Sequence, residues 1–120
     1  MTNREDTVRW YGRQVIVTLP AEIDVTNSAQ VDDLLAAVSA QGPEILTVDM
    51  TGTNFCDSSG IHALARAHRL TGANGGELRI AIGTSPTLRV LQLTGLDQVL
   101  TVFSDVDQAR SAPRTPAQRA

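Results

Sequence analysis

Two adjacent hydroxyls, Ser58 and Ser59, stand between a carboxylate, Asp57, and a glycine, Gly60, in the stretch Asn54-Phe55-Cys56-Asp57-Ser58-Ser59-Gly60-Ile61. The apolar run before it, Ile45-Leu46-Thr47-Val48-Asp49-Met50, is too short for a typical helix and reads as a strand buried on both faces. The residues after it, Ala63 to His68, continue with helical spacing. The hydroxyls thus fall at a strand-to-helix junction. In open α/β sheets the crevice beyond the carboxyl ends of the strands is where ligands bind, so this position suits chemistry. It also suits capping, because Ser and Asp oxygens accept from the orphan N–H groups of a first helical turn.

Hydrolytic or transfer chemistry at Ser58 needs a base and a group to orient it. His62, one helical turn later, is the only base at a suggestive spacing, no G-x-S-x-G elbow precedes Ser58, and spacing identifies no third group. The chain therefore reads as a protein without catalytic residues. His62 is expected at an exposed helix position and His68 at the edge of the core. One cysteine, Cys56, and two histidines six residues apart match no closed zinc spacing, so no metal or other cofactor is expected.

Composition bounds the remaining classes. A chain of 120 residues is one domain of common size, able to bury about two thirds of its unfolded surface. A single cysteine excludes an internal disulfide, and the thiol is expected to pack as a small hydrophobe. A net charge of −3 with a pI near 5.2 argues against a nucleic-acid footprint, and 3% aromatic residues leave few stacking platforms. The acidic N-terminal residues lack the apolar core of a secretory signal and no run reaches membrane-spanning length, so a cytoplasmic location away from membranes is expected.

Along the chain, Thr7 to Tyr11 and Gln14 to Leu19 read as strands joined by a Gly12-Arg13 turn, an N-terminal hairpin. Pro20 ends the second strand, and Leu19 to Asp24 reads as a loop carrying two carboxylates, Glu22 and Asp24. Val31, Leu34, Leu35 and Val38 mark a first helix, preceded by the cap candidates Asp24, Thr26, Asn27 and Ser28 and stopped by Gly42-Pro43. A second helix follows Asp57-Ser58, with an inward stripe of Ile61, Leu64, Ala65 and His68, and ends in the glycine-rich turn before the strand Leu78 to Ile82. Ser85 and Pro86 open a third helix as N-cap and first helical residue. Val99 to Phe103 reads as a last strand and Asp105 to Arg110 as a brief fourth helix. The pattern is an α/β domain over residues 7–110, with a mixed sheet of about five strands and about four helices. Residues 1–6 and 111–120 carry no apolar payload and are expected to be disordered.

Taken together, Glu22-Ile23-Asp24, Val48-Asp49-Met50, Phe55 to Ile61 and Thr94-Gly95-Leu96-Asp97 resemble the STAS domain of bacterial anti-sigma factor antagonists, over about Val8 to Ala109. Each piece alone is weak; four in this order at these intervals are specific. The resemblance implies the same fold and a role as substrate rather than catalyst. An anti-sigma factor with a serine-kinase fold would bind the unmodified domain and release a sigma factor. It would then phosphorylate Ser58 with its own ATP and magnesium, and a serine phosphatase would reverse the step. The resemblance also implies a partner-binding surface of Glu22, Asp24, Asn27, Asp57, Ser59, Gly60 and His62, with Ser59 the nearest competing hydroxyl. At position 62 the family often has a small or aliphatic residue, so His62 bears on which kinase fits. The alternative reading is a STAS scaffold, or an accessory subunit of a signalling or transport complex, that binds its partner without phosphoregulation.

Overall fold

The computed structural model describes residues 7–114; the terminal segments 1–6 and 115–120, expected to be disordered, lie outside the described residues. A hairpin opens the domain, with β1 (Val8–Tyr11) antiparallel to β2 (Gln14–Thr18). Gly12 makes the turn at φ 63°, a conformation open to glycine at no steric cost. Three further strands, β4 (Ile45–Asp49), β6 (Glu77–Ala81) and β7 (Thr101–Phe103), then add in parallel, giving the order β1-β2-β4-β6-β7. This is an α/β domain with a mixed five-stranded sheet. Helices α1 (Ser28–Ala40), α2 (Ser58–Ala73), α3 (Pro86–Thr94) and α4 (Val106–Ser111), with a 3₁₀ turn at Leu96–Gln98, complete it among the described residues.

Period-two alternation along the strands divides the sheet into two unlike faces. Val15, Leu46 and Leu78 are in register across one face, as are Val17, Val48 and Ile80, and they form the core with Val31, Leu35 and Val38 of α1, Ile61 and Leu64 of α2 and Leu91 of α3. The alternate positions face the other way and mix apolar Ile16, Ile45 and Ala81 with polar Thr47, Glu77 and Arg79, all of them buried. Arg79 is fully enclosed. Its guanidinium reaches Glu77 at 3.1 Å and donates to the carbonyls of Ala109 at 2.6 Å, Ala112 at 2.7 Å and Pro113 at 3.0 Å. Arg114 forms a second ion pair with Glu77, at 3.3 Å. An arginine inside an apolar strand is thus tolerated because the segment around α4 supplies the carbonyls it needs.

That anchoring corrects one boundary. Disorder was expected from Ser111 onward, but Ser111 closes α4 and Ala112 to Arg114 lie against the Glu77–Arg79 pair. The inward stripe of α2 also differs. Gly60, Ile61, Ala63, Leu64, Ala67 and Thr71 are buried, whereas Ala65 and His68 are only partly so. Two short strands were not anticipated: β3 (Glu22–Ile23), inside the expected loop, and β5 (Phe55–Cys56), which pair in parallel.

Removing one partner of a buried ion pair costs about 3–5 kcal/mol where the other charge is left uncompensated, and Arg114, at 3.3 Å from Glu77, keeps part of that compensation and puts the cost at the low end. Arg79→Met is therefore expected to lose about 3 kcal/mol in urea unfolding, with the Glu77→Leu/Arg79→Met double variant closer to wild type. A double variant as unstable as the single one would contradict this account.

Candidate functional site

The two-residue ladder of β3 and β5 builds the site. Glu22 pairs with Phe55 and Ile23 with Cys56, while the amide of Asn54 donates to the Ala21 carbonyl at 2.7 Å and that of Asp57 to the Ile23 carbonyl at 3.0 Å. These bonds carry the Glu22–Asp24 loop alongside the start of α2. Asn27 secures the loop from the other side, accepting from the Asp24 amide at 3.0 Å and donating to the Glu22 carbonyl at 2.8 Å. The Asp24 carboxylate folds back onto the Thr26 amide at 2.9 Å and the Thr26 hydroxyl at 2.5 Å, an Asx turn that shapes the loop. Asn27 is the N-cap residue of α1 by position, yet its side chain is spent on the loop and caps nothing.

Gly60 allows α2 to sit against this ladder. A Cβ at that position would lie 2.4 Å from Cys56 Sγ and 2.7 Å from Ile23 Cγ2, so the helix could not approach the strands with any larger residue there. Cys56 is buried, as expected for a small hydrophobe, and burial, with the Asp57 charge second, pushes its thiol up to about 11. At neutral pH it is an un-ionised, unreactive packing group.

Asp57 is the N-cap of α2. Its carboxylate accepts from the Ser59 amide at 2.9 Å, the Ser59 hydroxyl at 2.5 Å and the Gly60 amide at 3.4 Å. The Ser59 hydroxyl bond, foremost, and the two backbone bonds hold the carboxyl below its ordinary range against a modest desolvation. Of the Ser and Asp oxygens at this junction, the Asp57 carboxylate is the cap and the Ser58 hydroxyl is not. Ser58 is the first residue of α2, exposed, and its hydroxyl makes no hydrogen bond among the described residues. The two serines are thus unlike: one hydroxyl is held by Asp57 and the other is open.

His62 is exposed on the same helix and shares a groove of about 550 Å³ with Ser58. The rest of that groove is mostly apolar: Phe55, Ile61, Ala65, Val90 and Leu96 line it. Leu96 reaches it because Gly95, at φ 79°, ends α3 in the left-handed conformation and turns the chain back. Phe55, Val90 and Leu96 had not been singled out as site residues. A second hollow, of about 350 Å³, lies between α1 and α2 and is lined by Asp32, Ser59, His62, Arg66 and Arg69 among others. Of the anticipated partner surface, Glu22, Asp24, Asn27, Asp57, Ser59, Gly60 and His62 all gather around this helix start, but Gly60 is buried and Asp24, Asn27, Asp57 and Ser59 are partly so. Ser58 and His62 line one groove with no hydrogen bond between them, and the Asp57 carboxylate is turned to Ser59 and Gly60, not to the imidazole. Among the described residues no group of three or more His, Cys, Asp or Glu could hold a metal ion, and no helix is long and apolar enough to cross a membrane.

Fold and site together define a small α/β domain that presents one free hydroxyl beside an acidic loop and an apolar groove. Residues 5–109 match the STAS domain family, and the chain belongs to that family. It is 28% identical over 108 residues to the anti-sigma-F factor antagonist RsfB of Mycobacterium tuberculosis, covering 90% of this chain and 88% of that protein. The crystal structure of an anti-sigma factor antagonist from Mycobacterium paratuberculosis superposes with a TM-score of 0.80 at 26% identity, over 94% of this chain and 92% of that one. The Bacillus cell fate determinant SpoIIAA, solved in its phosphorylated form, shares the fold with a TM-score of 0.62 at 24% identity, over 81% and 89% of the two chains.

Because the Asp57 carboxyl is depressed, its stabilising effect is present above the ordinary carboxylate range, about 3.9, and is lost as pH falls through the folded value. Ser59→Ala removes the largest cause, so carboxyl NMR titration is expected to show the Asp57 midpoint rising toward that range. An unchanged midpoint would remove the Ser59 hydroxyl from the cap.

Proposed function

We propose that this chain is an anti-sigma factor antagonist whose docking is switched at Ser58. The unmodified domain presents the start of α2 and the β3 loop to an anti-sigma factor with a serine-kinase fold, and a sigma factor is released. The kinase, using its own ATP and magnesium, transfers a phosphoryl group to Ser58 Oγ and docking ends. A serine phosphatase hydrolyses the ester and restores the hydroxyl. The domain is a substrate in this cycle, without catalysis or a cofactor of its own.

The observation that carries the reading is the contrast between the two hydroxyls. Ser58 Oγ is exposed and unbonded, whereas Ser59 Oγ is tied to Asp57 and partly buried. A phosphoryl group on Ser58 leaves the Asp57 cap in place, so the domain stays folded while its surface changes. Phosphorylation adds about 1.5 to 2 negative charges, and these fall beside Asp57 and the Glu22–Asp24 loop. A partner seated over that rim meets both bulk and like charge. Family membership and the names carried by the mycobacterial relatives support the same class of partner.

The test is incubation with ATP, magnesium and candidate serine kinases from the source organism, read by intact mass and site-localised mass spectrometry. Label is expected on Ser58 alone. Ser58→Ala should bind the kinase and stay unlabelled, and Ser58→Asp should bind it about tenfold or more weakly, a change of about 1.4 kcal/mol. Both variants should melt close to wild type, since neither removes the cap. Label on Ser59, or wild-type binding by both variants, would overturn the assignment.

A further inference from the structure

We propose that His62 is the intramolecular counter-charge for a phosphate on Ser58, so that the charge of the phosphorylated face depends on pH. The inference rests on Ser58 as the modified residue and adds a partner for the phosphate within this chain. Positions 58 and 62 are four apart on α2, the spacing at which helical side chains are neighbours, with Cβ atoms about 5–6 Å apart. Both side chains are exposed and both line the same groove.

The other charged groups around His62 leave it as the cation for that phosphate. Asp57 is committed to the α2 cap and repels a phosphate. Arg66 pairs with Asp32 of α1 at 2.6 Å. At a rise of 1.5 Å per residue, Arg66 and Arg69 lie about 12 and about 16 Å along the helix from position 58, against about 6 Å for His62. On the α3 side the groove is lined by Val90, Thr94 and Leu96, none of them charged. The β3 loop contributes only the carboxylates of Glu22 and Asp24. His62 also lines the second hollow with Arg66 and Arg69, whose positive charge favours phosphate in the same region while leaving the contact to His62.

The second ionisation of a phosphoserine lies near pH 6. A positive charge on His62 stabilises the dianion over the monoanion. As a positioning residue, His62 holds the phosphate along the groove side of α2. The charge added to the docking rim is then smaller at pH 6 than at pH 8.

The test uses phosphoserine placed at position 58 during translation, which needs no kinase and so separates this inference from the choice of Ser58 as the physiological target. The ³¹P resonance is titrated in the wild-type background and in His62→Gln and His62→Lys. The phosphate midpoint is expected to be about 0.3 to 0.5 units lower with His62 than with Gln, and as low or lower with Lys, which carries charge throughout the titration. His62 is exposed, so neither variant should perturb folding. Equal midpoints in wild type and His62→Gln, or a Lys variant that behaves like Gln, would overturn the proposal.

Discussion

The Asp57 carboxylate decides what its neighbours are free to do. An aspartate at an N-cap can accept from the first free amides of the helix and from one nearby hydroxyl, and here it does both, through the Ser59 and Gly60 amides and the Ser59 hydroxyl. All three bonds fall on Oδ1, which turns that oxygen to the first turn of α2. Ser58 stands between cap and bonded hydroxyl with nothing to hold its own, on a first turn whose conformation is already secured by other atoms. A modifiable group is thus exposed without being a structural one, and a charged adduct there need not compete with a capping bond. Burial pushes the adjacent Cys56 thiol the other way, out of the nucleophilic range, so the hydroxyl is the chemically addressable group of the loop.

The placement of that turn depends on backbone more than on side chains. Two residues of β3 and two of β5 make a ladder too short to stand alone, and it persists because Ile23 and Cys56 are buried in the main core and Gly60 lets α2 close over them. The acidic loop and the helix start are consequently joined by one backbone ladder. On the opposite face of the sheet, Arg79 serves an equivalent role for α4 by converging on main-chain carbonyls 30 to 34 residues away. One face thus carries the site, and the face that holds Glu77 and Arg79 fastens the end of the domain.

The legible parts of the sequence were those with a period or a run long enough to declare itself. Ile45 to Met50 as a buried strand, which the structure ends at Asp49, the Gly12-Arg13 hairpin, α1, and the Ser85-Pro86 opening of α3 all follow from residue type and spacing, and the structure has each of them. Two-residue strands have no period, so Glu22–Ile23 read as loop. Choosing the cap among Asp57, Ser58 and Ser59 requires knowing which side chain turns toward the amides, and all three types are good caps. Arg79 gave no sign of its environment because its carbonyl partners are distant in sequence. Ser111 to Arg114 looked like tail for the same reason: their attachment is through main-chain carbonyls and one guanidinium, not through apolar side chains. The groove residues Phe55, Val90 and Leu96 come from three separate elements, and only folding brings them beside Ser58.

The central claim is that charge added at Ser58 alters a surface and leaves the domain as it was. Amide NMR spectra of the unmodified protein and of the same protein carrying phosphoserine at position 58 test it most directly. The account predicts shifts confined to Glu22–Ser28, Phe55–Arg66 and the α3 side of the groove, with the amides of β2, β4 and β6 and the thermal midpoint unchanged. Shifts spread through those central strands, or a fall of several degrees in the midpoint, would show that the phosphate acts by remodelling the fold.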